Sequence, residues 1–169
     1  MNKEIELVDL VDSSGNIQRR SIPRSETDLH PDLHLQIIIG IVFDEKGRIL
    51  VQKRAQTKQV NPGDVDLVCG GILSGETPEE AFIRESQEET GVRPGSLMVI
   101  AKGVNKYNRY RYLVIGESND EHIQADPNEV EWVQFIHPDE LRQKYESGEL
   151  TFVDEFFEDT NLAIQSKIG

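Results

Sequence analysis

Residues 35–43 (LQIIIGIVF) form an apolar, β-branched run with almost no polar interruption, the pattern of a central strand covered on both faces. Asp44-Glu45-Lys46-Gly47 is a turn signal, and 48–53 (RILVQK) is expected to return beside that run as a hairpin. Upstream, 4–11 (EIELVDLV) alternates as a strand does. Asp12-Ser13-Ser14-Gly15-Asn16 reads as a turn, and Ile17 to Ile22 as a return strand. Residues 23–33 hold two prolines and read as a connector. The division expected is an N-terminal hairpin and connector over 1–29, decorating a main domain over 30–169.

Further along, 54–64 is a polar loop with a Pro-Gly turn and Val65 to Cys69 a short strand. A helix is predicted over 78–90. Strands over 97–104 and 108–115 meet near Lys106–Tyr107, and 117–129 is an acidic loop. Val130 to Ile136 reads as a strand and 138–146 as a helix. Thr151 with Asp154 makes a capping signature for a last helix over 152–165. Strands and helices mix without strict alternation, which predicts an α+β fold with a mixed sheet.

Charge and composition narrow the function classes. The 169 residues carry a formal net charge of −13, which repels nucleic-acid backbones and argues against a nucleic-acid polymer as partner. The single cysteine, Cys69, precludes an internal disulfide, and no apolar run approaches a membrane span. The start MNKEIELVDLVD lacks the basic and apolar pattern of a secretion signal, so a cytoplasmic location is expected.

The chemistry concentrates in 70–92, GGILSGETPEEAFIRESQEETGV. Thr77 can cap a helix, Pro78 suits its first turn, Glu80 closes a capping box and Gly91 suits the left-handed exit. At helical spacing Glu85, Glu88 and Glu89 fall within an arc of roughly 100°, beside the apolar side carrying Ala81 and Phe82. Like charges three and four residues apart destabilise a helix, and a divalent cation removes that penalty. Arg84 lies four residues from both Glu80 and Glu88 and can pair with either.

These residues resemble the Nudix box, G-x5-E-x7-R-E-U-x-E-E-x-G-U with U aliphatic. It falls on Gly70, Glu76, Arg84, Glu85, Ser86, Glu88, Glu89, Gly91 and Val92, departing only at Ser86. The resemblance implies an α/β/α sandwich around a mixed sheet and cleavage of a nucleoside diphosphate linked to another group. It implies Mg²⁺ or Mn²⁺ held by Glu85, Glu88 and Glu89 with help from Glu76, and Arg84 orienting the glutamates. Many members add an acid from a later loop, for which Glu129, Asp126 and Glu131 are the candidates, Glu129 foremost. A homodimer is common among such proteins.

A second resemblance covers roughly 30–95. Leu33-His34-Leu35, Gly47-Arg48-Ile49-Leu50-Val51, Arg54-Ala55, Lys58, Pro62-Gly63 and Val68-Cys69-Gly70 are similar to isopentenyl-diphosphate isomerase, a Nudix-fold enzyme that moves a double bond. Cys69 stands where that enzyme has its catalytic cysteine, and His34 where it has a metal-binding histidine. The isomerase also has a histidine two residues after the cysteine, where this chain has Gly71. The strand expected to bring its glutamates reads Asn108-Arg109-Tyr110-Arg111-Tyr112. A hydrolase related to that branch is therefore expected, with the isomerase, or a nucleotide-binding regulatory domain, as alternatives. Expected substrate contacts are Arg54 and Lys58 after the second core strand, Arg109 and Arg111 on one face of 108–113, and Gly70 and Gly71 in the loop before the helix. Tyr107 is a candidate to stack on a base.

Overall fold

The computed structural model describes residues 5–120 and 122–168. Glu4, at the start of the first expected strand, lies outside them, as do the outermost ends of the two expected parts.

The apolar run becomes β3 (His34–Phe43), the strand on which the sheet is organised. One edge of β3 pairs along its length with β8 (Arg109–Glu117), in parallel from Leu35–Arg109 to Phe43–Glu117. β8 pairs antiparallel with β7 (Gly95–Val104). The other edge of β3 is shared in turn by β1 (Leu7–Val11), β6 (Val68–Gly71) and β4 (Ile49–Arg54). The sheet is therefore mixed, and the chain is α+β.

Two expectations about strands need correction. The β3–β4 hairpin is paired only at Phe43–Ile49, and β4 then diverges to pair with β9 (Val130–Ile136). The single strand expected over Val65 to Cys69 is two strands, because the gap between diverging β3 and β4 is filled from both sides. β5 (Val65–Asp66) pairs with β4, and β6 with β3, with Leu67 between them. The N-terminal hairpin is also more than a decoration. β1 pairs with β2 (Ile17–Pro23) and adds to β3 at Leu10–Leu35 and Val11–His34, while Val8, Leu10 and Leu35 form a small buried cluster of their own.

Helix α1 (Pro78–Thr90) covers one face of the sheet, where Ala81 and Phe82 pack on Ile38, Val42, Leu50 and Val114. The opposite face carries Ile41, Phe43, Ile49 and Val51. It is covered by Leu141 of α2 (Pro138–Glu146) and by Phe156 and Ala163 of α3 (Phe156–Ile168). Adjacent residues of β4 thus serve opposite cores, as strand alternation requires. α3 starts later than the capping pattern suggested. The Thr151 hydroxyl donates to Asp64 and Phe152 bridges to Val65, so 151–153 extends the sheet beside β5. Tertiary pairing outweighs the local cap signal there.

Candidate active site

α1 forms where the sequence places it because both ends are chemically defined. The Glu80 amide donates to Thr77 Oγ1 at 3.2 Å, and the Thr77 amide to Glu80 Oε2 at 2.9 Å. Gly91 closes the helix at φ +76°, a conformation costly for other residues. Ser86, the departure from the aliphatic pattern, is fully buried. Its hydroxyl donates to the Val92 carbonyl at 2.8 Å, so the polar group is satisfied inside the packing.

The helix is seated on the sheet at two glycines. A Cβ at Gly40 would stand 2.0 Å from the Phe82 ring, and one at Gly70 would stand 2.0 Å from Glu85 Cδ. The carboxyl of Glu85 therefore lies against the bare backbone of β6.

Arg84 ties this arrangement together. Its Nε donates to Glu76 Oε1 at 2.7 Å and its Nη2 to Glu76 Oε2 at 2.9 Å. It also reaches the Gly71 carbonyl at 2.8 Å, Glu85 at 2.7 Å and Glu88 at 3.5 Å. Of the two partners that helical spacing offered, Glu80 is used by the capping box instead. Glu76 also accepts from the Leu73 amide, so both its oxygens are engaged. In the structure Glu76 is the partner of Arg84 and of the loop before α1. Burial alone would push its carboxyl up, but the Arg84 and Leu73 bonds hold it below the ordinary range.

The glutamates of the last two turns sit in a different field. Burial raises the Glu85 carboxyl despite Arg84, and Glu88 adds to the rise. Glu89 is pushed up to about 8, by burial first and then by Glu85 and Asp66, against the pull of Gln52 and the Cys69 amide. Glu88 is exposed. Gln52 Nε2 donates to Glu89 at 2.9 Å and to the Leu67 carbonyl at 3.1 Å. Its Oε1 is buried with no partner among the described residues.

Among the described residues, no three His, Cys, Asp or Glu side chains already converge as a ligand cage. The donor set nonetheless suits a hard divalent cation. Two partly buried carboxyls are penalised for their charge, a third is exposed with only a long bond to Arg84, and a buried amide oxygen lacks a donor. Mg²⁺ needs only one or two carboxylates, because it keeps several of its waters.

On the opposite face of β6 lies a cleft of about 320 Å³, lined by Ile37, Ile39, Cys69, Arg111, Phe156 and Asp159 among others. Burial pushes the Cys69 thiol well above its ordinary range, and Asp66, Glu89 and Glu85 add to this. Arg111 faces that cleft as strand alternation predicts, with its Nη1 on both Asp159 oxygens at 2.9 and 2.8 Å and on Glu155 at 3.4 Å.

The other expected contacts are distributed less simply. Arg54 pairs with Asp66 at 3.1 Å and donates to the Val60 carbonyl. Lys58 pairs with Glu129, which ties the 54–64 loop to the end of the acidic loop. No hydrogen bond or ion pair among the described residues joins the Glu129 side chain to α1. Glu131 pairs with Lys53, and the Asp126 carboxylate accepts from the Asn128 amide. Arg109 is half-buried without a side-chain bond among the described residues. The Tyr107 hydroxyl donates to Asp154 at 2.6 Å, which ties its side chain to the cleft rim. His34 Nδ1 lies 3.3 Å from the Asn108 carbonyl.

Sequence reasoning missed Gln52, Asp159 and Arg24. A Cβ at Gly71 would meet Arg24 Nη1 at 3.1 Å, so the space beside Gly71 holds a guanidinium. These residues come from separate elements, and no local motif marks them.

The family model described as NUDIX domain matches residues 33–156. The chain belongs to the Nudix family. Within it, the chain lies in the branch that resembles isopentenyl-diphosphate isomerase. The Isopentenyl-diphosphate Delta-isomerase of Streptomyces coelicolor is 33% identical over 151 residues, covering 82% of this chain and 75% of that protein. An uncharacterised Nudix hydrolase of Listeria monocytogenes is 30% identical over 158 residues, covering 88% of this chain and 89% of that one. A crystal structure from Deinococcus radiodurans has a TM-score of 0.69 at 23% identity, covering 90% of this chain and 96% of its own, and shares the fold. This Nudix chain has no helix, among the described residues, long and apolar enough to cross a membrane.

Proposed function

We propose that this Nudix protein hydrolyses a diphosphate linkage in a nucleoside diphosphate derivative or similar small phosphorylated molecule, using Mg²⁺ or Mn²⁺. The observation that carries the reading is the seating of Glu85 on Gly70, with Glu89 half-buried beside it and Glu88 one turn away at the surface. Glu85, Glu88 and Glu89 are the groups that would hold the metal. When bound, the metal supplies charge neutralisation at phosphate oxygens and a more acidic water.

The chain's own residues divide the remaining work. Arg84 fixes the Glu85 carboxylate and anchors it to the Gly71 carbonyl, while Glu76 fixes Arg84. This chain of charge-assisted bonds holds the glutamates where a phosphate chain passes over β6. Arg54, at the rim beside Asp66, is a candidate phosphate contact. Arg111 is already balanced by Asp159 and Glu155, so it serves the shape of the cleft more than anion binding.

The relatives named as isomerases favour a second reading, conversion of isopentenyl diphosphate. Two features weigh against it. The glutamate that lines the Cys69 cleft, Glu155, is paired there with Arg111, and the Arg24 guanidinium stands beside Gly71, where the isomerase has a histidine. The test is a panel of nucleoside di- and triphosphates, nucleotide sugars, dinucleotides and isopentenyl diphosphate with Mg²⁺ or Mn²⁺. Metal-dependent phosphate or pyrophosphate release that survives Cys69→Ala is expected. Isomerisation abolished by Cys69→Ala, with no hydrolysis, overturns the proposal. Binding of a nucleotide without turnover would point to a regulatory domain.

A further inference from the structure

The N-terminal segment delivers a cation to the glutamate helix from outside the residues that the family pattern covers. Arg24 opens the short 3-10 turn Arg24–Leu29 that follows β2. Its backbone amide donates to the Glu6 carbonyl at 2.9 Å, which fixes the turn against the start of β1. β1 in turn is paired to β3, so the position of Arg24 is set by the sheet.

The geometry at Gly71 puts its guanidinium beside the seat of Glu85. A Cβ at Gly71 would meet Arg24 Nη1 at 3.1 Å, and Gly71, paired with Ile37 of β3, directly follows Gly70, on which Glu85 is seated. Arg24 thus stands at the end of β6, beside the glycine whose carbonyl Arg84 holds.

The other arginines nearby are already engaged. Arg84 holds Glu76 and Glu85, Arg54 holds Asp66, and Arg111 holds Asp159 and Glu155. Among the described residues the Arg24 side chain makes one ion pair, with exposed Glu6 at 2.9 Å, and it is itself 47% exposed. An exposed pair of this kind is weak and readily exchanged. A guanidinium fork fits two phosphate oxygens at once, which a carboxylate-lined site otherwise lacks.

We propose that Arg24 is a substrate-binding residue that grips a non-bridging phosphate oxygen of the diphosphate, leaving Glu6 as the substrate enters. This rests on the hydrolase reading above, and it adds the N-terminal hairpin to the active site.

The test uses the full chain as wild type, Arg24→Ala, Arg24→Lys and Glu6→Gln. Calorimetry measures binding of α,β-methylene-ADP in the presence of Mg²⁺, and separately of Mg²⁺ alone. Arg24→Ala is expected to weaken the analogue by about 10–100-fold, the loss of one charge-assisted contact, and to raise KM more than it lowers kcat. Arg24→Lys recovers part of this, and Mg²⁺ uptake stays within twofold in every variant. Glu6→Gln binds the analogue as well as wild type or better, because it frees the guanidinium. A purely structural pair predicts the reverse, with Glu6→Gln as damaging as Arg24→Ala, and that result overturns the proposal. So does analogue binding by Arg24→Ala within twofold of wild type, or a wild type that does not bind the analogue. A wild type that binds the analogue but hydrolyses nothing sinks the hydrolase reading alone, while calorimetry still decides Arg24.

Discussion

A Cβ built on Gly70 would stand 2.0 Å from Glu85 Cδ, so this strand glycine exists to let a carboxylate lie against the sheet. The backbone at Gly70 is an ordinary strand conformation, and the requirement is for space and not for an unusual φ.

Gly70→Ala should therefore push Glu85 off β6. Overpacking of this kind costs roughly 1–3 kcal/mol. We expect a modest fall in melting temperature with a much larger fall in turnover. Gly40→Ala is the comparison, since its Cβ would strike Phe82 2.0 Å away. It should lose stability similarly while the surviving folded enzyme keeps its kcat. Equal kcat in both variants would contradict the role given to Gly70.

Glu85→Gln and Glu88→Gln should each abolish metal-dependent turnover and keep the fold. The loss should be at least the roughly 100-fold that follows removal of even an outer-sphere partner of a metal. Circular dichroism beside steady-state rates checks both halves, and full activity in both variants would remove the metal assignment.

Glu89→Gln should melt higher than wild type in chelator, because it replaces a carboxyl that burial disfavours with an amide of the same shape. The order should reverse with Mg²⁺. Wild type gains about 2.7 kcal/mol at a hundredfold excess over Kd, and the variant gains little. A variant stabilised as strongly as wild type by Mg²⁺ would exclude Glu89 as a ligand.

Arg84→Lys keeps the charge and loses the fork that spans Glu76. Losing a bond to a charged group costs roughly 1.5–3 kcal/mol. Chemical denaturation should show destabilisation of that order, and activity should fall with it. Wild-type stability in this variant would mean that the fork is not what holds Glu76.

Asp9 provides a pH signature of the hairpin's attachment. Burial would raise its carboxyl, but the Ser74 hydroxyl at 2.6 Å, the Ser21 and Gly75 amides and Arg20 hold it below the ordinary value of 3.8. A depressed folded-state value stabilises the protein above the unfolded value. That contribution disappears as pH falls from the unfolded value through the folded one. Asp9→Asn should therefore be less stable at neutral pH and show a flatter acid limb below about pH 4. Identical melting curves from pH 2 to 7 would mean the carboxylate does not secure β1.

The sequence by itself determined the helix of the site and its ends. Thr77, Pro78, Glu80 and Gly91 act within a few residues of each other, so their chemistry is local and readable. It also determined the central strand and the spacing that puts Glu85, Glu88 and Glu89 near one side. The tertiary structure alone decided which partners these groups have. Arg84 passes over Glu80 for Glu76 and Gly71, because the loop before α1 folds back under the helix. Thr151 joins the sheet instead of capping α3, and 65–71 divides between two diverging strands. Arg24 reaches the site because β1 pairs with β3. Such contacts join residues from 8 to 87 positions apart, and their energies depend on burial and backbone pairing that only the folded chain creates.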